Sequence, residues 1–184
     1  MDNQSSAAVF IDRDGTIMED VNYCSHPDQV KVYPGVPEAL RRLQSNRFKI
    51  IVITNQSGIG RGFFTVDEYR AIESEVSRQL GDGLIAATYF CPDIPGSDST
   101  HRKPAPGMIL QAAREHQIDL THSFFIGDKE IDVECGHNAG VRTILVQTGY
   151  GQHVKHSAAD WIAKDFAAAA QIILKEAAQL PISR

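Results

Sequence analysis

The sequence predicts an α/β fold with a central parallel sheet between two layers of helices. Short apolar runs alternate with helical patterns along the chain, as they do in βαβ units. The apolar runs lack the alternation of a half-exposed strand, so helices should cover both faces of the sheet. Polar residues directly follow the first, second and fourth runs, and open parallel sheets bind ligands at that edge. The expected architecture is therefore a Rossmann-like three-layer sandwich with one site.

Five strands and five helices are expected within a single domain, 1–184. The strands are Ala7–Ile11, Phe48–Ile53, Ala86–Phe90, Ser123–Ile126 and Arg142–Val146. The helices are Val36–Gln44, Val66–Leu80, Gly107–His116, Ile131–Ala139 and Phe166–Ala178. Thr65 and Glu68 have the spacing of a capping box, in which each side chain accepts a hydrogen bond from the other's backbone N–H.

Composition excludes several classes of protein. The chain has 184 residues, of which 42% are hydrophobic and 22% charged, so it can bury a core and is not disordered. A net charge of −5 disfavours a broad nucleic-acid-binding surface. No apolar run is long enough to span a membrane, and residues 1–6 lack the cations of a signal peptide. Three cysteines without a C-x-x-C pair fit a reducing compartment, so we expect a cytoplasmic protein. We also expect a monomer that binds neither membrane nor nucleic acid.

Two aspartates directly follow the first strand, in the run Asp12-Arg13-Asp14-Gly15-Thr16. Residues two apart in an extended segment point the same way, so the two carboxylates can converge. Converging carboxylates repel each other unless a cation intervenes, and oxygen ligands favour a hard ion such as Mg²⁺. An ordinary Asp-Gly turn is the plainer alternative. An EF-hand fragment is disfavoured, because Ile17 and Tyr23 occupy the positions that need glycine and glutamate.

Small polar side chains follow the second strand in the run Thr54-Asn55-Gln56-Ser57. Their hydroxyls and amides can bind an anion, although such residues are equally common in ordinary turns. The glycines of the next run, 58–62, lack the spacing of the dinucleotide fingerprint. We expect this run to form a flexible loop that presents Arg61.

Two further runs place charge near the same edge of the sheet. Arg102 and Lys103 are adjacent cations that suit a phosphate, or else form a solvated surface pair. Asp128, after the fourth strand, is either a third metal ligand or the N-cap of the next helix. The joint occurrence of these four runs in strand–loop order favours one site for a metal ion and a phosphate.

These motifs resemble those of the haloacid dehalogenase-like (HAD-like) phosphatase superfamily over nearly the whole chain. The superfamily's four motifs correspond to Asp12-x-Asp14-Gly15-Thr16, Thr54, Lys103 and Gly127-Asp128. Longer runs resemble the D-glycero-D-manno-heptose-1,7-bisphosphate 7-phosphatases and their relatives, the histidinol-phosphate phosphatases. Those runs are Ile11–Ile17, Thr54–Gly62, Arg102–Pro104 and Gly127–Lys129.

The resemblance implies a mechanism. Asp12 would be the nucleophile that carries an aspartyl-phosphate, and Asp14 the general acid and base. Mg²⁺ would bind Asp12, the backbone carbonyl of Asp14, and Asp128, while Thr54 and Lys103 hold the phosphate oxygens. The substrate-binding residues would be Asp20, Val21, Asn22, Tyr23, Thr54, Asn55, Gln56, Ser57, Arg102, Lys103 and Lys129.

Neighbouring polar residues have plainer interpretations. Lys129 can also be an exposed cation paired with a nearby acid, and Asp132 is expected to support the site without binding the metal. We expect His101, His153 and His156 to be solvated, and Trp161 to belong to the core.

The chain departs from many relatives in the segment before Arg102. Relatives with a zinc loop carry Cys-x-His and Cys-x-Cys there, whereas this chain has Cys91 and Asp93, then Ser99 and His101. Structural zinc needs four ligands, usually cysteine or histidine, so we predict no zinc site. The segment 63–102 is also too short for a large cap domain, so the site should be comparatively open.

The resemblance implies a Mg²⁺-dependent phosphatase that removes the 7-phosphate of a heptose bisphosphate. That activity would serve carbohydrate metabolism, in nucleotide-activated heptose and lipopolysaccharide biosynthesis. Histidinol-phosphate phosphatase activity is the alternative within the same class. An inactive phosphate-binding regulatory module is the alternative of another class, disfavoured because Asp12 and Asp14 are both present.

Overall fold

The computed structural model describes residues 6–179, which form one six-stranded parallel sheet covered by helices. The strands are β1 (Ala8–Ile11), β2 (Lys49–Asn55), β3 (Ala87–Cys91), β4 (Phe124–Gly127), β5 (Arg142–Val146) and β6 (Trp161–Ala163). They lie in the order β3-β2-β1-β4-β5-β6. The predicted α/β fold is confirmed, and no large cap domain occurs among the described residues. The sequence prediction about a signal peptide in residues 1–6 lies almost wholly outside the described range.

The helices lie where the apolar periodicity predicts them, with one short addition. They are α1 (Val36–Ser45), α2 (Ser57–Gly60), α3 (Val66–Leu80), α4 (Gly107–His116), α5 (Glu130–Ala139) and α6 (Phe166–Gln179). The capping box at the start of α3 is confirmed. Glu68 N–H donates to Thr65 Oγ1 at 3.2 Å, and Thr65 N–H donates to Glu68 Oε2 at 2.6 Å.

Two apolar layers bury the two faces of the sheet. Val9 and Ile11 face the layer that contains α1, α3 and α6, whereas Ala8 and Phe10 face α4 and α5. Successive side chains of a strand point to opposite faces, so a strand buried on both sides is apolar at every position. All four side chains of β1 are fully buried, which explains the uninterrupted apolar run in the sequence.

The strand order reverses between β1 and β4, which are hydrogen-bonded neighbours. Chains that leave these two strands turn to opposite sides of the sheet, which opens a crevice at their carboxyl ends. Asp12 follows β1, and its N–H donates to the carbonyl oxygen of Ile126 in β4 at 2.9 Å. The sheet therefore places the residues after β1 and β4 side by side.

Three local expectations were wrong. Thr54 and Asn55 belong to β2, because they pair with β3. The run 58–62 is not a flexible loop, since Ser57–Gly60 is helical. A Cβ at Gly58 would overlap the Phe64 ring and one at Gly60 would overlap the Pro92 carbonyl, so these glycines permit close packing. Strand β6 was not predicted, since its three residues are too few to show a pattern.

Several smaller expectations agree with the structure. Cys24, Cys91 and Cys135 are buried free thiols, and His101, His153 and His156 are exposed. Trp161 packs against the core from β6. Among the helices of residues 6–179, none has the length and hydropathy required to traverse a bilayer.

Candidate active site

Three buried carboxylates converge at the carboxyl end of the sheet. Asp12 follows β1, Asp128 follows β4, and Asp132 lies in the first turn of α5. One oxygen from each lies within 4.8 Å of the others. Gly15 makes this approach possible, because its φ is +85° and a Cβ there would overlap the Asp128 carboxylate.

Lys103 is the cation at the centre of this cluster. Its Nζ lies 2.7 Å from Asp12 Oδ1 and 2.7 Å from Asp132 Oδ1, and it donates to the Ile53 carbonyl at 3.0 Å. The Lys103 side chain is 2% exposed. The Asn55 amide fixes the backbone of Lys103, accepting from its N–H at 3.0 Å and donating to its carbonyl at 3.2 Å. The Asn55 side chain therefore helps to fix the position of Lys103, whose ammonium group contacts Asp12.

Burial and the neighbouring charges shift the pKa values of the ionisable groups in this cluster. Burial raises the pKa of Asp12 to about 6, even though Lys103 acts in the opposite direction. Burial, reinforced by the charges of Asp12 and Asp132, raises the pKa of Asp128 to about 8. Burial alone would lower the pKa of Lys103, but Asp12 and Asp132 outweigh it and raise that pKa. Lys103 thus contacts two of the three buried acids, and the cation that acts on Asp128 is the less buried Lys129.

The donor set fits a divalent metal ion. Within residues 6–179, Asp128 makes no ion pair, and only Thr16 Oγ1 at 3.4 Å and Tyr150 N–H at 2.8 Å donate to it. A fully buried carboxylate with this little compensation needs a proton or a further cation. Carboxylate oxygens are the ligands that Mg²⁺ takes in proteins. A divalent ion held by Asp12 and Asp128 would supply the missing charge.

Stabilisation by Mg²⁺ should grow with pH. The pKa values of Asp12 and Asp128 lie above the ordinary carboxyl value, at about 6 and about 8. Without metal, the stability that these groups confer is complete at low pH and is lost as the pH rises through those values. A Mg²⁺ ion at this site would bind the ionised carboxylates, so we expect a larger Mg²⁺-induced rise in Tm at about pH 9 than at about pH 6. Equal rises at both pH values, or an undiminished rise in Asp128→Asn, would contradict this assignment.

Asp14 lies beside the cluster, held by two other side chains. Arg13 Nε and Nη2 donate to its two carboxylate oxygens at 3.2 and 3.0 Å. Gln56 Nε2 donates to Asp14 Oδ2 at 2.9 Å and to Thr54 Oγ1 at 2.8 Å. Arg13 is itself buried against the Tyr69 ring, so its guanidinium group holds the Asp14 carboxylate in a fixed position. Thr54, Gln56 and Asp14 therefore form one hydrogen-bonded chain next to Asp12.

An open cleft of about 210 Å³ leads outward from these carboxylates. It is lined by Arg13, Asp14, Asp20, Asn22, Tyr23, Cys24, Asn55, Gln56, Ser57, Gly58, Arg102, Lys129, Ile131 and Tyr150. Lys129 Nζ lies 3.2 Å from Asp20 Oδ2 and 4.3 Å from the centre of the Tyr150 ring. Besides the buried Arg13, two cations line this cleft, Lys129 and Arg102, together with aromatic and amide side chains.

The predicted substrate contacts do not all face this cleft. Asn22 and Tyr23 line it in left-handed backbone conformations, with φ of 51° and 64°. Such strain in residues other than glycine is typical of functional loops. Val21 instead packs against the core. Gln56 lines the cleft but is largely buried, and its amide donates to Asp14 and Thr54. Their substrate contacts remain predictions.

Sequence reasoning missed two contributors to the site. Arg13 was given no role, although it is buried and forms the fork on Asp14. The segment Thr148–Tyr150 was also missed. Thr148 Oγ1 donates to the Gly15 carbonyl at 2.7 Å, and Tyr150 N–H donates to Asp128. The Gly-Tyr-Gly run shortly after β5 was the available signal, because this strand also ends at the site's edge of the sheet.

The four positions before Arg102 that correspond to a zinc loop form hydrogen bonds instead. Cys91 Sγ donates to Asp93 Oδ2 at 3.4 Å and lies 3.6 Å from Ser99 Oγ. His101 is exposed and lies beside Thr100 Oγ1. A single thiol and a serine hydroxyl are a poor donor set for Zn²⁺. We expect elemental analysis to find no stoichiometric zinc and chelation to leave Tm unchanged; a bound equivalent would contradict this.

Known proteins resemble this chain over most of its length. The HAD-hydrolase-like family model matches residues 100–169. A D-glycero-D-manno-heptose-1,7-bisphosphate 7-phosphatase of Thermosynechococcus vestitus is 36% identical, with 90% of this chain and 94% of that protein covered. The D-glycero-β-D-manno-heptose-1,7-bisphosphate 7-phosphatase of Helicobacter pylori is 40% identical, with 88% and 94% covered.

A solved structure shows the same fold. The D,D-heptose 1,7-bisphosphate phosphatase of B. bronchiseptica, complexed with magnesium and phosphate, superposes with a TM-score of 0.85 at 32% identity. The match covers 92% of this chain and 99% of that protein. Extensive identity to curated phosphatases, together with the carboxylate cluster at the switch point, shows that the chain belongs to the HAD-like heptose-1,7-bisphosphate 7-phosphatase family and is a phosphatase.

Proposed function

We propose that the chain, as a single domain over 1–184, removes the 7-phosphate of D-glycero-D-manno-heptose 1,7-bisphosphate with Mg²⁺ and an aspartyl-phosphate on Asp12. The observation that carries the proposal is the buried Asp12–Lys103 ion pair beside Asp128, at the edge where the cleft opens. The names of the similar proteins support the substrate. The proposal also includes that the protein is a cytoplasmic monomer and that its product is used in lipopolysaccharide biosynthesis.

Asp12 provides the nucleophile. In the proposed first half-reaction its carboxylate oxygen attacks phosphorus, the bond from phosphorus to the sugar oxygen breaks, and the phosphoryl group stays on Asp12. Asp14 gives a proton to the leaving sugar oxygen and then removes one from the attacking water. Asp14 lines the small pocket that also contains Asp12, and Arg13 and Gln56 fix the position of its side chain.

Lys103 and Thr54 hold the transferring phosphate. Lys103 Nζ donates to Asp12 Oδ1, so a phosphate oxygen that approaches Asp12 also comes close to this ammonium group. Thr54 Oγ1 accepts from Gln56, which leaves its own proton free to donate to a phosphate oxygen. Mg²⁺ bound by Asp12, Asp128 and the Asp14 carbonyl would neutralise charge on the transferring group.

Arg102 and Lys129 provide a place for the phosphate that is not removed. Both cations line the cleft, Lys129 also lines the small pocket that contains Asp12 and Lys103, and a guanidinium binds phosphate through paired N–H donors. Burial opposes the positive charge of Lys129, but nearby acids including Asp12 and Asp128 raise its pKa, so it stays protonated. In this proposal, one phosphate of the sugar lies at Lys103 and the other is bound by Arg102 and Lys129.

The test is kcat/KM with Mg²⁺ for both anomers of heptose 1,7-bisphosphate, compared with histidinol phosphate. We expect a preference of at least about 100-fold for one heptose anomer, or about 2.7 kcal/mol of transition-state discrimination. A preference for histidinol phosphate would show instead that the protein acts in amino-acid biosynthesis. No release from any phosphate ester by folded protein would support a phosphate-binding module instead.

A further inference from the structure

The loop between β3 and α4 is fastened at both ends by backbone contacts. Gly60 N–H donates to the Pro92 carbonyl at 3.2 Å, and Gly107 N–H donates to the Thr100 carbonyl at 2.9 Å. A Cβ at either glycine would overlap the carbonyl that it contacts. The loop is therefore docked closely on α2 and on the start of α4, which limits where its side chains can lie.

Ser99 is the polar centre of this loop. Its Oγ accepts from the N–H groups of His101 and Arg102, at 3.3 and 3.1 Å. The same oxygen lies 3.6 Å from Cys91 Sγ. Cys91 Sγ in turn donates to Asp93 Oδ2 at 3.4 Å, and the Ser99 hydroxyl and then the Cys91 thiol lower the pKa of the Asp93 carboxyl. One hydroxyl thereby joins the start of the loop to the backbone that carries Arg102.

The Arg102 side chain is hydrogen-bonded to the same loop. Its Nη1 donates to the Asp93 carbonyl at 2.7 Å, its other guanidinium N–H groups make no hydrogen bond within residues 6–179, and Arg102 lines the cleft. Guanidinium has five N–H donors in a fixed fork, so one can be bonded to the protein while others bind phosphate. Arg102 is thus held at its backbone by Ser99 and at its tip by Asp93.

We propose that Ser99 is a positioning residue that fixes Arg102 for the phosphate remaining on the sugar. This inference rests on the proposed bisphosphate substrate. A long arginine side chain loses rotamer freedom when it binds, and affinity improves when the protein has already restricted it. Ser99 would thereby favour bisphosphates over monophosphates without touching the substrate.

The test compares Ser99→Ala with Ser97→Ala, a matched control on the same loop. Ser97 is exposed, and its hydroxyl bonds only the nearby Ile94 carbonyl among the described contacts. We expect Ser99→Ala to raise KM for heptose 1,7-bisphosphate about 5-fold with kcat nearly unchanged, the size typical of a lost hydrogen bond. Heptose 7-phosphate, which lacks the second phosphate, should show no change, and Ser97→Ala should match the wild type with both substrates.

A double-mutant cycle separates positioning from general damage to the loop. If Ser99 acts through Arg102, Ser99→Ala should have no further effect on KM in an Arg102→Ala background. Ser99→Thr keeps the hydroxyl and should retain the wild-type KM. If Ser99→Ala does not fold, Ser99→Gly, which also lacks the hydroxyl, is measured instead of it.

The outcomes distinguish this inference from the proposed function. If the wild type does not prefer the bisphosphate to the 7-phosphate, the proposed substrate is wrong. If it does prefer the bisphosphate but Ser99→Ala behaves as Ser97→Ala does, the positioning role alone is wrong. Equal loss of activity with both substrates would also overturn it, because that pattern indicates damage to the catalytic carboxylates.

Discussion

Asp12→Asn is expected to lower kcat for phosphate release by at least about 10⁴-fold, because an amide cannot form the phosphoryl-enzyme bond. The loss should appear with heptose 1,7-bisphosphate and with p-nitrophenyl phosphate alike, since both would use the same nucleophile. The fold should survive. Asparagine has nearly the same volume, and Lys103 keeps Asp132 as its partner at 2.7 Å.

Steady-state kinetics and thermal unfolding together check this expectation. Asp82→Asn is the matched control, because Asp82 is exposed on the turn after α3, away from the carboxylate cluster. It should keep wild-type kcat. Turnover that persists in well-folded Asp12→Asn protein would remove Asp12 as the nucleophile. Mass spectrometry after a rapid quench should detect an added phosphoryl group on the wild type and not on the variant.

Lys103→Met is expected to lower the free energy of unfolding by about 3–5 kcal/mol, the cost of removing one partner from a buried ion pair. The side chains of Asp12 and Asp132 are 6% and 1% exposed, so water cannot replace the lost ammonium group. Activity should fall as well, because Asp12 will hold a proton more strongly once its cation is gone. Chemical denaturation with urea, without Mg²⁺, measures the loss of stability.

Two comparisons make this prediction specific. Lys129→Met removes a more accessible cation, 31% exposed and paired with Asp20, and should cost only about 1 kcal/mol or less. Lys103→Met combined with Asp132→Asn should recover part of the lost stability, since one unpaired buried charge is then gone. A loss for Lys103→Met no larger than that for Lys129→Met would show that the Asp12–Lys103–Asp132 cluster is not held as described.

The sequence was most informative where a residue's position in the chain determines its neighbours. Asp12 and Asp128 each come directly after a strand, and parallel strands bring their carboxyl ends to one edge. Their proximity could therefore be predicted before the strand order was known. Asp132 follows Asp128 by one helical turn, so α5 brings it to the same place. Lys103 required more, because it lies in a loop and does not directly follow a strand. The sequence placed its charge near the same edge of the sheet, but it did not predict the direct ion pair with Asp12.

Contacts between distant segments were not predictable in the same way. The buried fork of Arg13 on Asp14 depends on the Tyr69 ring of α3, and the inward turn of Gln56 depends on Thr54. The segment after β5 reaches Asp128 through the backbone N–H of Tyr150, so the Gly-Tyr-Gly run could indicate the segment but not this contact. Gly58 and Gly60, expected to confer flexibility, instead permit close packing.

The sequence by itself determined the α/β architecture, the strand ends that bear carboxylates and the family. These follow from apolar periodicity and from residue types at fixed offsets, which are local properties of the chain. Only the tertiary structure decided how charge is shared among Asp12, Asp128, Asp132 and Lys103, and how Ser99 and Asp93 hold Arg102. Burial and ångström-scale distances set those interactions, and both arise only when the layers pack together.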